Sequence, residues 1–543
     1  MAAILLSLAL LLAPQANTAN QPPATSPAGG CTLSGTVQSA STGEPLRRAV
    51  ITLYKFGKGA GKFTAETDAS GQFKIKNLAP GRYFVSASHP GYVSVQYSPH
   101  GQATHIVFLI ISSGETSRNL SFRLPLEGII SGHVYNEDGK PIEGAQVLAL
   151  WDSYLQGTPR LMTGGFARTD AGGRYRLGEL APRNYFIRAS VGSAAGGSAY
   201  ADAPAYYPGA ATASQAAPVA VRAGSEFSGL NFFLQRVRTF HIRGRVTSTA
   251  NNVPFKNIRL TLVSRTPLRE KDGSHVKDAQ GDFDIPGVIP GSYYLVASLI
   301  DQGTLYSSRQ PIAITDTSVD GISLVLMPGA TLAGTVRAAG PVNLSSMRVF
   351  LEPRHNAAIR WQRNSAAVRQ DGAFEVGGIP DGGYFIRVAG LPPNAYVKSA
   401  TLSGQNVLDS GFEVLSGQAP GSTLKLVVSA NGGRLGGSVM LGGKPFGGAL
   451  VTLLPADSSR LSSDWWVKST TTNPDGNFML AGIRPGDYHL FAWQKIQPGE
   501  ERDPAFLAQF QDQGKDVQIE PGAMLTLQVN AIPSSQIQAA EVP

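Results

Sequence analysis

A frame in which a glycine precedes a tyrosine by twelve residues recurs five times along this 543-residue chain. Between them the frame reads x-aromatic-x-aliphatic-x-x-aliphatic and then, in most copies, x-Pro-Gly-x. The five pairs are Gly71 and Tyr83, Gly173 and Tyr185, Gly281 and Tyr293, Gly372 and Tyr384, and Gly476 and Tyr488. Self-similarity at a fixed spacing is the signature of an internal repeat, so one structural unit is expected to recur along the chain.

The first copy of the frame shows what the repeated residues do. In QFKIK, Phe73 and Ile75 alternate with polar residues, which predicts a strand with one buried face. Asp68 is suited to an Asx turn and Gly71 to the positive φ of a hairpin. In the fourth copy the place of Asp68 is taken by Arg369, which suits a turn and not a metal site. The frame therefore predicts architecture, with Leu-x-Pro-Gly-x-Tyr resembling the tyrosine corner of sandwich folds.

Further strand patterns surround each copy of the frame. A Gly-x-Val pair comes first, a second alternating strand follows it, and an apolar strand closes each copy. The Gly-x-Val pairs are Gly35/Val37, Gly132/Val134, Gly244/Val246, Gly334/Val336 and Gly437/Val439. Short strands separated by regular turns, in units of roughly 90 to 110 residues, are typical of β-sandwich domains.

These motifs together resemble the carboxypeptidase regulatory-like domain. The resemblance is strongest in copy one (SGTVQSASTGEPLRRAVITL and TDASGQFKIKNLAPGRYFVSA) and copy two (ISGHVYNEDGKPIEGAQVLAL and TDAGGRYRLGELAPRNYFIRA), and copies three to five have drifted further. It implies an all-β chain, a tandem array of about five seven-stranded transthyretin-like or immunoglobulin-like β-sandwiches with a carbohydrate-binding-like fold. It also implies a non-catalytic module of the kind that occurs in tandem in bacterial envelope proteins.

The expected domain organisation follows from these copies. The boundaries are a signal peptide at 1–19, a linker at 20–31, copy one at 32–125, copy two at 126–236, copy three at 237–328, copy four at 329–429, copy five at 430–532 and a flexible tail at 533–543.

The N-terminus and the single cysteine bear on localisation. The apolar run from Ala2 to Leu12 suits a secretory signal and is too short to span a bilayer, which predicts a secreted, periplasmic or envelope protein. Cys31 cannot form an internal disulfide. Its PAGGC context resembles a bacterial lipobox, but Ala28 stands where leucine is expected, so an inert linker thiol is favoured over a lipid anchor.

Several function classes lack their motifs. The net charge of +8 is spread along the chain without a basic run, which disfavours nucleic-acid binding. No histidine is followed by glutamate at zinc-peptidase spacing, and no Asp-x-Asp-x-Asp-Gly calcium loop is present. No strand–elbow–helix setting for a Gly-x-Ser-x-Gly nucleophile is evident. The chain is therefore expected to have no enzymatic activity, catalytic residue, metal or cofactor, and no transmembrane segment in its mature form.

Four of the five tryptophans lie between the second strand of a copy and its repeat glycine. They are Trp151, Trp361, Trp465 and Trp466. Two interpretations stay open for them: a buried tryptophan of the sandwich core, or an outward indole that stacks on a sugar ring. Because Trp465 and Trp466 are adjacent, a strand would turn one of them inward and the other outward.

Structures are also predicted for a long insertion in copy two and for a short segment near the end of copy five. The insertion from Gly192 to Pro218, with Tyr200, Tyr206 and Tyr207, is interpreted either as a mobile surface loop or as a functional loop. In DPAFLAQFQ, Asp503 is expected to cap a short helix that begins at Pro504. Three of its residues are expected to pack against copy five, and these are Ala505, Phe506 and Phe510.

The sequence thus predicts a non-catalytic, exported, multi-domain binding or scaffold protein. Carbohydrate is the leading ligand class, and the expected partner is a polysaccharide or an envelope protein. The alternative is a purely structural spacer or a protein–protein adhesion module without a small-ligand site. A more distant alternative is an accessory part of a hydrolase system.

Overall fold

The computed structural model describes residues 30–56, 60–97, 108–112, 115, 117–155, 158–192, 198–249, 254–265, 270–271, 276, 278, 280–354, 364–415, 417–419, 423–496 and 499–540. Strands account for 60% of the structure and helices for 6%, in many separate sheets, which confirms the predicted all-β, multi-domain, sandwich-like architecture. The predicted signal peptide and Trp361 lie outside the described residues.

The strands of copies one and two are short and mostly alternate between buried and exposed residues. Copy one contains β1 (Cys31–Ser39), β2 (Val50–Phe56), β3 (Gly61–Glu66), β4 (Gln72–Leu78), β5 (Gly81–Ser88), β6 (Val95–Gln96), β7 (Leu109–Ile111) and β8 (Ser117–Leu124). Copy two and its boundary contain β9 (Gly128–Asn136), β10 (Gln146–Leu155), β11 (Thr158–Arg168), β12 (Arg174–Leu180), β13 (Arg183–Ser190), β14 (Tyr200–Asp202), β15 (Ala205–Tyr206), β16 (Val219–Val221), β17 (Glu226–Phe227), β18 (Phe232–Leu234) and β19 (Arg236–Arg238).

Copies three to five follow the same order of elements, with two short α-helices near the end. Copy three contains β20 (Phe240–Ser248), β21 (Arg259–Ser264), β22 (Glu270–Lys271), β23 (Asp282–Val288), β24 (Gly291–Asp301), β25 (Thr304–Ile314) and β26 (Val319–Pro328). Copy four contains β27 (Ala330–Ala339), β28 (Arg348–Pro353), β29 (Ser365–Ala367), β30 (Ala373–Ile379), β31 (Gly382–Ala389), β32 (Tyr396–Leu402), β33 (Gln405–Asn406), β34 (Phe412–Val414) and β35 (Leu424–Ser429). Copy five contains β36 (Gly433–Leu441), β37 (Lys444–Pro445), β38 (Leu450–Pro455), β39 (Lys468–Thr471), β40 (Asn477–Ile483), β41 (Gly486–Trp493), α1 (Pro504–Ala508), β42 (Lys515–Ile519) and β43 (Met524–Asn530), and α2 (Ser534–Ala540) follows it. Single 3-10 turns lie at Ala213–Gln215, Phe255–Asn257, Leu344–Ser346, Ser458–Arg460, Glu500–Arg502 and Gln511–Gln513.

The chain divides into two compact units, the first built from β1–β8 and the second from β9 to α2. In the first unit, one sheet has the strand order β4-β1-β8, and the other has the order β3-β2-β5-β6 with β7 also paired to β5. The repeat frame therefore runs from β4 in one sheet to β5 in the other. The alternate buried residues of both sheets form the core between them.

The second unit repeats this plan with variations. Copies two, four and five each have two main sheets, whereas the strands of copy three form one continuous sheet in the order β22-β21-β24-β25-β26-β20-β23. In every copy the first strand pairs in parallel with a strand near the end of that copy, as β1 does with β8 and β36 with β43. The remaining parallel pairs are β9 with β17 and β18, β20 with β26, and β27 with β35.

The repeat tyrosine makes the same hydrogen bond in all five copies. Its phenol donates to the backbone carbonyl four residues upstream, across the link between the two strands of the frame. The donor–acceptor distances are 2.7 Å for Tyr83 to Ala79, 3.0 Å for Tyr185 to Ala181, 2.9 Å for Tyr293 to Ile289, 2.8 Å for Tyr384 to Pro380 and 2.8 Å for Tyr488 to Arg484. Burial raises the pKa of four of these phenols, which keeps them protonated as donors, and the four are Tyr83, Tyr185, Tyr384 and Tyr488.

The repeat glycine is required by a close backbone approach. Gly71 has φ +70°, and a Cβ there would lie 2.6 Å from the carbonyl oxygen of Val37. In the preceding turn, Asp68 Oδ1 accepts hydrogen bonds from the amides of Ser70 and Gln72, both at 2.9 Å. These bonds hold the pKa of the Asp68 carboxyl below its usual value. The turn thus satisfies its own backbone and sets the register of β4.

Two expectations, the linker position of Cys31 and the flexible tail, are wrong, and the mobile-loop interpretation of the 192–218 insertion is wrong for its ordered part. Cys31 lies in β1, not in a linker, and is 1% exposed, and burial raises the pKa of its thiol. The predicted flexible tail contains α2, whose Ile537 is 3% exposed in a hydrophobic cluster of copy five. Part of the 192–218 insertion is ordered into the sheets: β14 pairs with β19, β15 pairs with β13, and Tyr206 is 6% exposed.

The predicted short helix is present as α1, with Asp503 Oδ1 accepting the amide hydrogen of Ala505 at 2.9 Å. Phe506 and Phe510 are buried as expected, whereas Ala505 is exposed. Both phenylalanines pack on Trp493, and this cluster forms a second core on the outer face of the β38–β41 sheet. Among the described residues, no helix has both the length and the apolar character needed to span a bilayer.

Tyr83→Phe is expected to destabilise the link between β4 and β5 by about 1 kcal/mol, because the hydrogen bond from the buried phenol to the carbonyl of Ala79 is lost. The measurement is hydrogen exchange of β5 amides by mass spectrometry in increasing urea. Tyr54→Phe, which removes a hydroxyl from an exposed ring of the same copy, should leave the exchange unchanged. Equal protection in Tyr83→Phe and the parent chain would contradict this role of the phenol.

Candidate functional site

The two adjacent tryptophans lie in a turn that leads into β39, not on a strand. The expected alternation of one inward and one outward indole therefore does not apply. Trp466 is 7% exposed and belongs to the core of copy five. Trp465 is half-buried and packs against the cores of both copy four and copy five. The pair is thus placed at the joint between these two copies.

The indole of Trp466 is contacted by a carboxylate at its N–H edge and by two guanidinium groups over its ring. Its Nε1 donates to both carboxylate oxygens of Asp409, at 3.2 and 3.3 Å, across the boundary between copies four and five. Arg460 and Arg484 place their guanidinium groups over the indole, at 4.2 and 4.5 Å from the ring centroid. Ser463 Oγ donates to Asp409 Oδ1 at 2.6 Å. A carboxylate and two cations therefore surround one aromatic ring.

Arg484 of copy five also contacts the backbone of copy four. Its guanidinium donates to the carbonyl oxygens of Val397 and Lys398. Burial lowers the pKa of Arg484, and the nearby Asp409 carboxylate opposes that shift. Gly482 permits the close approach, because a Cβ there would lie 2.8 Å from the carbonyl oxygen of Ala395.

A second polar cluster flanks the tryptophans. Asp464 accepts from Arg387 of copy four at 2.5 Å and also from Arg502 of copy five. Arg387 in turn contacts Glu352 at 2.8 Å. On the other side, Arg434 Nε donates to Asn394 Oδ1 at 2.8 Å. Charged pairs from both copies thus fix the joint at several points, with directional as well as apolar contacts.

Trp151 is half-buried against the core of copy two, with the Arg183 guanidinium 4.0 Å from its ring centroid. The strand that carries Trp151, β10, contacts the turn Glu500–Arg502 of copy five. Burial lowers the pKa of Arg183, and the charge of Glu500 partly offsets this effect. Trp151 therefore also lies beside a contact between copies, in this case copies that are not adjacent in sequence.

Sequence reasoning missed the residues that hold the joint, chiefly Asp409 and Arg484. For Arg484 a signal was present. In the residue before the frame's Pro-Gly, copy five has Arg484 where copies one to three have Ala79, Ala181 and Ile289. For Asp409 no signal exists, since its partner Trp466 lies 57 residues away in another copy.

The arrangement is suited to clamping. Asp409 accepts a hydrogen bond from the indole nitrogen of Trp466, and Asp464 accepts from Arg387 and Arg502. Arg484 donates to backbone carbonyls of copy four. Over the described part of the chain, no group of three or more His, Cys, Asp or Glu side chains is arranged to hold a metal ion. A ligand-binding role for Trp151, Trp361, Trp465 and Trp466 stays a prediction.

Residues 32–109 match the family model of the carboxypeptidase regulatory-like domain. The resemblance of copy one is confirmed. The carboxypeptidase regulatory-like match covers β1–β6 and reaches the first residue of β7. No curated protein sequence matches the chain.

Among solved structures, the Bacillus anthracis TIE protein is 14% identical, with 55% of this chain and 51% of that chain covered and a TM-score of 0.16. A Streptococcal ancillary pilin is 12% identical, with coverages of 55% and 99% and a TM-score of 0.19. GBS52, the minor pilin of Streptococcus agalactiae, is 14% identical, with coverages of 38% and 97% and a TM-score of 0.21. This chain thus spans about half the length of the TIE protein. Likenesses this distant assign neither activity nor partner.

Asp409→Ala is expected to destabilise copy five by about 1–3 kcal/mol, because the indole N–H of Trp466 and the hydroxyl of Ser463 lose their acceptor. Urea unfolding followed by tryptophan fluorescence measures the effect, since Asp409 touches the reporting indole. Asp475→Ala is the matched control, an exposed carboxylate in a turn of copy five. Coincident unfolding curves for Asp409→Ala and Asp475→Ala would contradict the clamp.

The contact between β10 and residues 500–503 is expected to weaken as pH rises. Burial raises the pKa of Glu501 and of Asp152, and for Asp152 the charge of Asp503 adds to this. Folding therefore favours their protonated forms. The resulting stabilisation is complete below the unfolded-state pKa, near 4, and is lost as pH rises through the higher folded-state value.

Glu501→Gln removes the titrating group and should raise stability at pH 7 but leave it nearly unchanged at pH 4. Thermal unfolding of the full chain at both pH values measures the difference. Glu520→Gln, at an exposed site in copy five, should show the same small effect at both. A Glu501→Gln effect that does not grow with pH would refute this assignment.

Proposed function

We propose that this chain is a non-catalytic, exported scaffold protein of the cell envelope, in which copies four and five act as one rigid piece. The observation that carries this is the clamp on Trp466. Trp465 and Trp466, two of the four tryptophans that the sequence suggested for sugar stacking, are engaged in joining two sandwiches. A protein that commits its most distinctive side chains to an internal joint is suited to holding its parts at fixed positions.

The chemistry of the repeat supports the same proposal. The tyrosines and glycines of the frame form local hydrogen bonds or close backbone approaches within each copy, as Tyr83 and Gly71 do in copy one, where Asp68 also accepts hydrogen bonds from the turn backbone. The match of residues 32–109 to a family of non-catalytic regulatory-like domains agrees with this. Export to the envelope rests on the apolar N-terminal run and on the family resemblance.

Carbohydrate binding is the second candidate, favoured by the half-buried state of Trp465 and Trp151, each of which leaves part of its ring accessible. Stacking of a sugar needs one open aromatic face with hydrogen-bonding groups beside it. In Trp466 the ring faces the guanidinium groups of Arg460 and Arg484. The rigid-scaffold proposal therefore expects no sugar at the Trp466 ring.

A glycan array and polysaccharide pull-down on the full chain, with tryptophan emission as the parallel signal, tests the two candidates. The scaffold proposal predicts no ligand whose binding depends on Trp465 or Trp466. A glycan that shifts the emission, and whose binding is lost in Trp465→Ala while Asp475→Ala still binds it, would overturn the scaffold proposal in favour of a carbohydrate-binding edge. Circular dichroism of each variant verifies that the strands remain folded.

A further inference from the structure

Among the described residues, the outer face of one sheet in copy one carries a group of exposed and half-buried apolar side chains. The group, called here the open face, consists of Tyr54, Phe56, Phe84, Phe108 and Ile110. Strand register brings them together. Tyr54 pairs with Phe84 of β5, and Arg82 of β5 pairs with Phe56 on one side and with Ile110 on the other. Three of them are strongly exposed: Tyr54 at 42%, Phe56 at 52% and Ile110 at 59%. A contiguous exposed apolar patch on a sheet marks an interaction surface.

Two cations border the open face and are directed at its rings. The Arg82 guanidinium lies 4.2 Å from the centroid of the Phe108 ring, and the Lys62 ammonium lies 5.7 Å from that of Tyr54. Both side chains are exposed, and neither forms an ion pair with a carboxylate in the described part of the chain. The patch is therefore apolar and positively charged, which is complementary to an apolar segment that carries acidic residues.

Copy five shows what the same sheet face accepts. Leu454 of β38 pairs with the residue that follows the repeat tyrosine, His489, as Tyr54 pairs with Phe84 in copy one. Leu454 is 2% exposed and belongs to a hydrophobic cluster to which the segment 499–514 contributes Phe506 and Phe510. That segment carries four carboxylates, Glu500, Glu501, Asp503 and Asp512, against one arginine. In copy five the apolar area extends toward the other end of the strands, where Phe491 and Trp493 lie.

We propose that the open face of copy one is a docking site for an acidic protein segment that bears aromatic side chains. The inference deepens the proposed scaffold function and rests on it, since it supplies the place at which the scaffold holds a partner. The aromatic side chains of the segment insert among Tyr54, Phe56 and Phe84, and its carboxylates meet Arg82 and Lys62. The open face thus receives from a partner what residues 499–514 supply within copy five.

The ring geometry favours a protein segment over a polysaccharide. Flat sugar rings stack best on aromatic rings that share a plane, but the Phe56 and Phe108 rings meet at 77° with centroids 5.1 Å apart. The Tyr54 and Phe84 rings are tilted by 42°. Rings set at such angles do not present the single flat surface on which a sugar ring stacks. A second copy of this chain would bring Arg82 and Lys62 against the same cations, which charge repulsion disfavours.

The test uses a fluorescein-labelled peptide with the sequence of residues 499–514, GEERDPAFLAQFQDQG, added to the full chain and followed by fluorescence anisotropy. The expected result is saturable binding that weakens as sodium chloride is raised, because cations of the open face meet acidic side chains. Phe56→Ser should weaken it about tenfold or more, the loss expected from removing one aromatic contact. Arg82→Gln, as a separate variant, should also weaken peptide binding and should reduce the dependence of that binding on sodium chloride.

Phe166→Ser is the matched control, since Phe166 is 55% exposed on a strand of copy two, outside the open face. A peptide in which Phe506 and Phe510 are replaced by alanine should not bind. Absence of binding, or binding that Phe56→Ser leaves unchanged, would overturn the docking site. So would a chain dimer in sedimentation, or retardation by a polysaccharide gel, that Phe56→Ser abolishes. None of these results depends on the Trp466 joint, so failure of the docking site is distinguishable from failure of the scaffold proposal.

Discussion

The bond from a repeat tyrosine to the carbonyl four residues before it is what lets one short frame build a sandwich. The phenol is buried in the core, so the chain that crosses from one sheet to the other is tied to the side chains that the two sheets enclose. Because the acceptor is a backbone carbonyl, the bond tolerates Ala79, Pro380 or Arg484 at that position. The frame can therefore vary in sequence while the crossover keeps its geometry, which explains how five diverged copies retain one plan.

Because the side chain at the acceptor position is free to vary, copy five can use it for the joint with copy four. A position that copies one to three fill with small or aliphatic residues holds Arg484, whose guanidinium reaches the Trp466 ring and the carbonyls of copy four. The architectural carbonyl of Arg484 still accepts the Tyr488 phenol. One residue thus serves the fold with its backbone and the joint with its side chain. Burying such a charge is costly, and the nearby carboxylate of Asp409 partly offsets that cost.

The features that sequence made predictable are those set by neighbours in the chain. Alternation in QFKIK, the turn at Asp68 and the cap at Asp503 all arise within a few residues, and the all-β class follows from them. The parallel pairing of first and last strands, the single sheet of copy three and the partner of Trp466 depend on residues far apart in sequence. The turn position of Trp465 was missed because adjacent aromatic residues were interpreted as a strand. The tail was misjudged because Ile537 finds its apolar neighbours only in the folded copy.

The parallel pairing of β1 with β8, and of β36 with β43, has a mechanical consequence. The strand through which the chain enters a copy lies beside the strand near its exit and points the same way. Tension along the chain pulls the start of one strand against the end of the other. Such a load acts in shear along the strands, and the hydrogen bonds between them resist it together instead of opening one after another. Each copy joined in this way is built to bear tension.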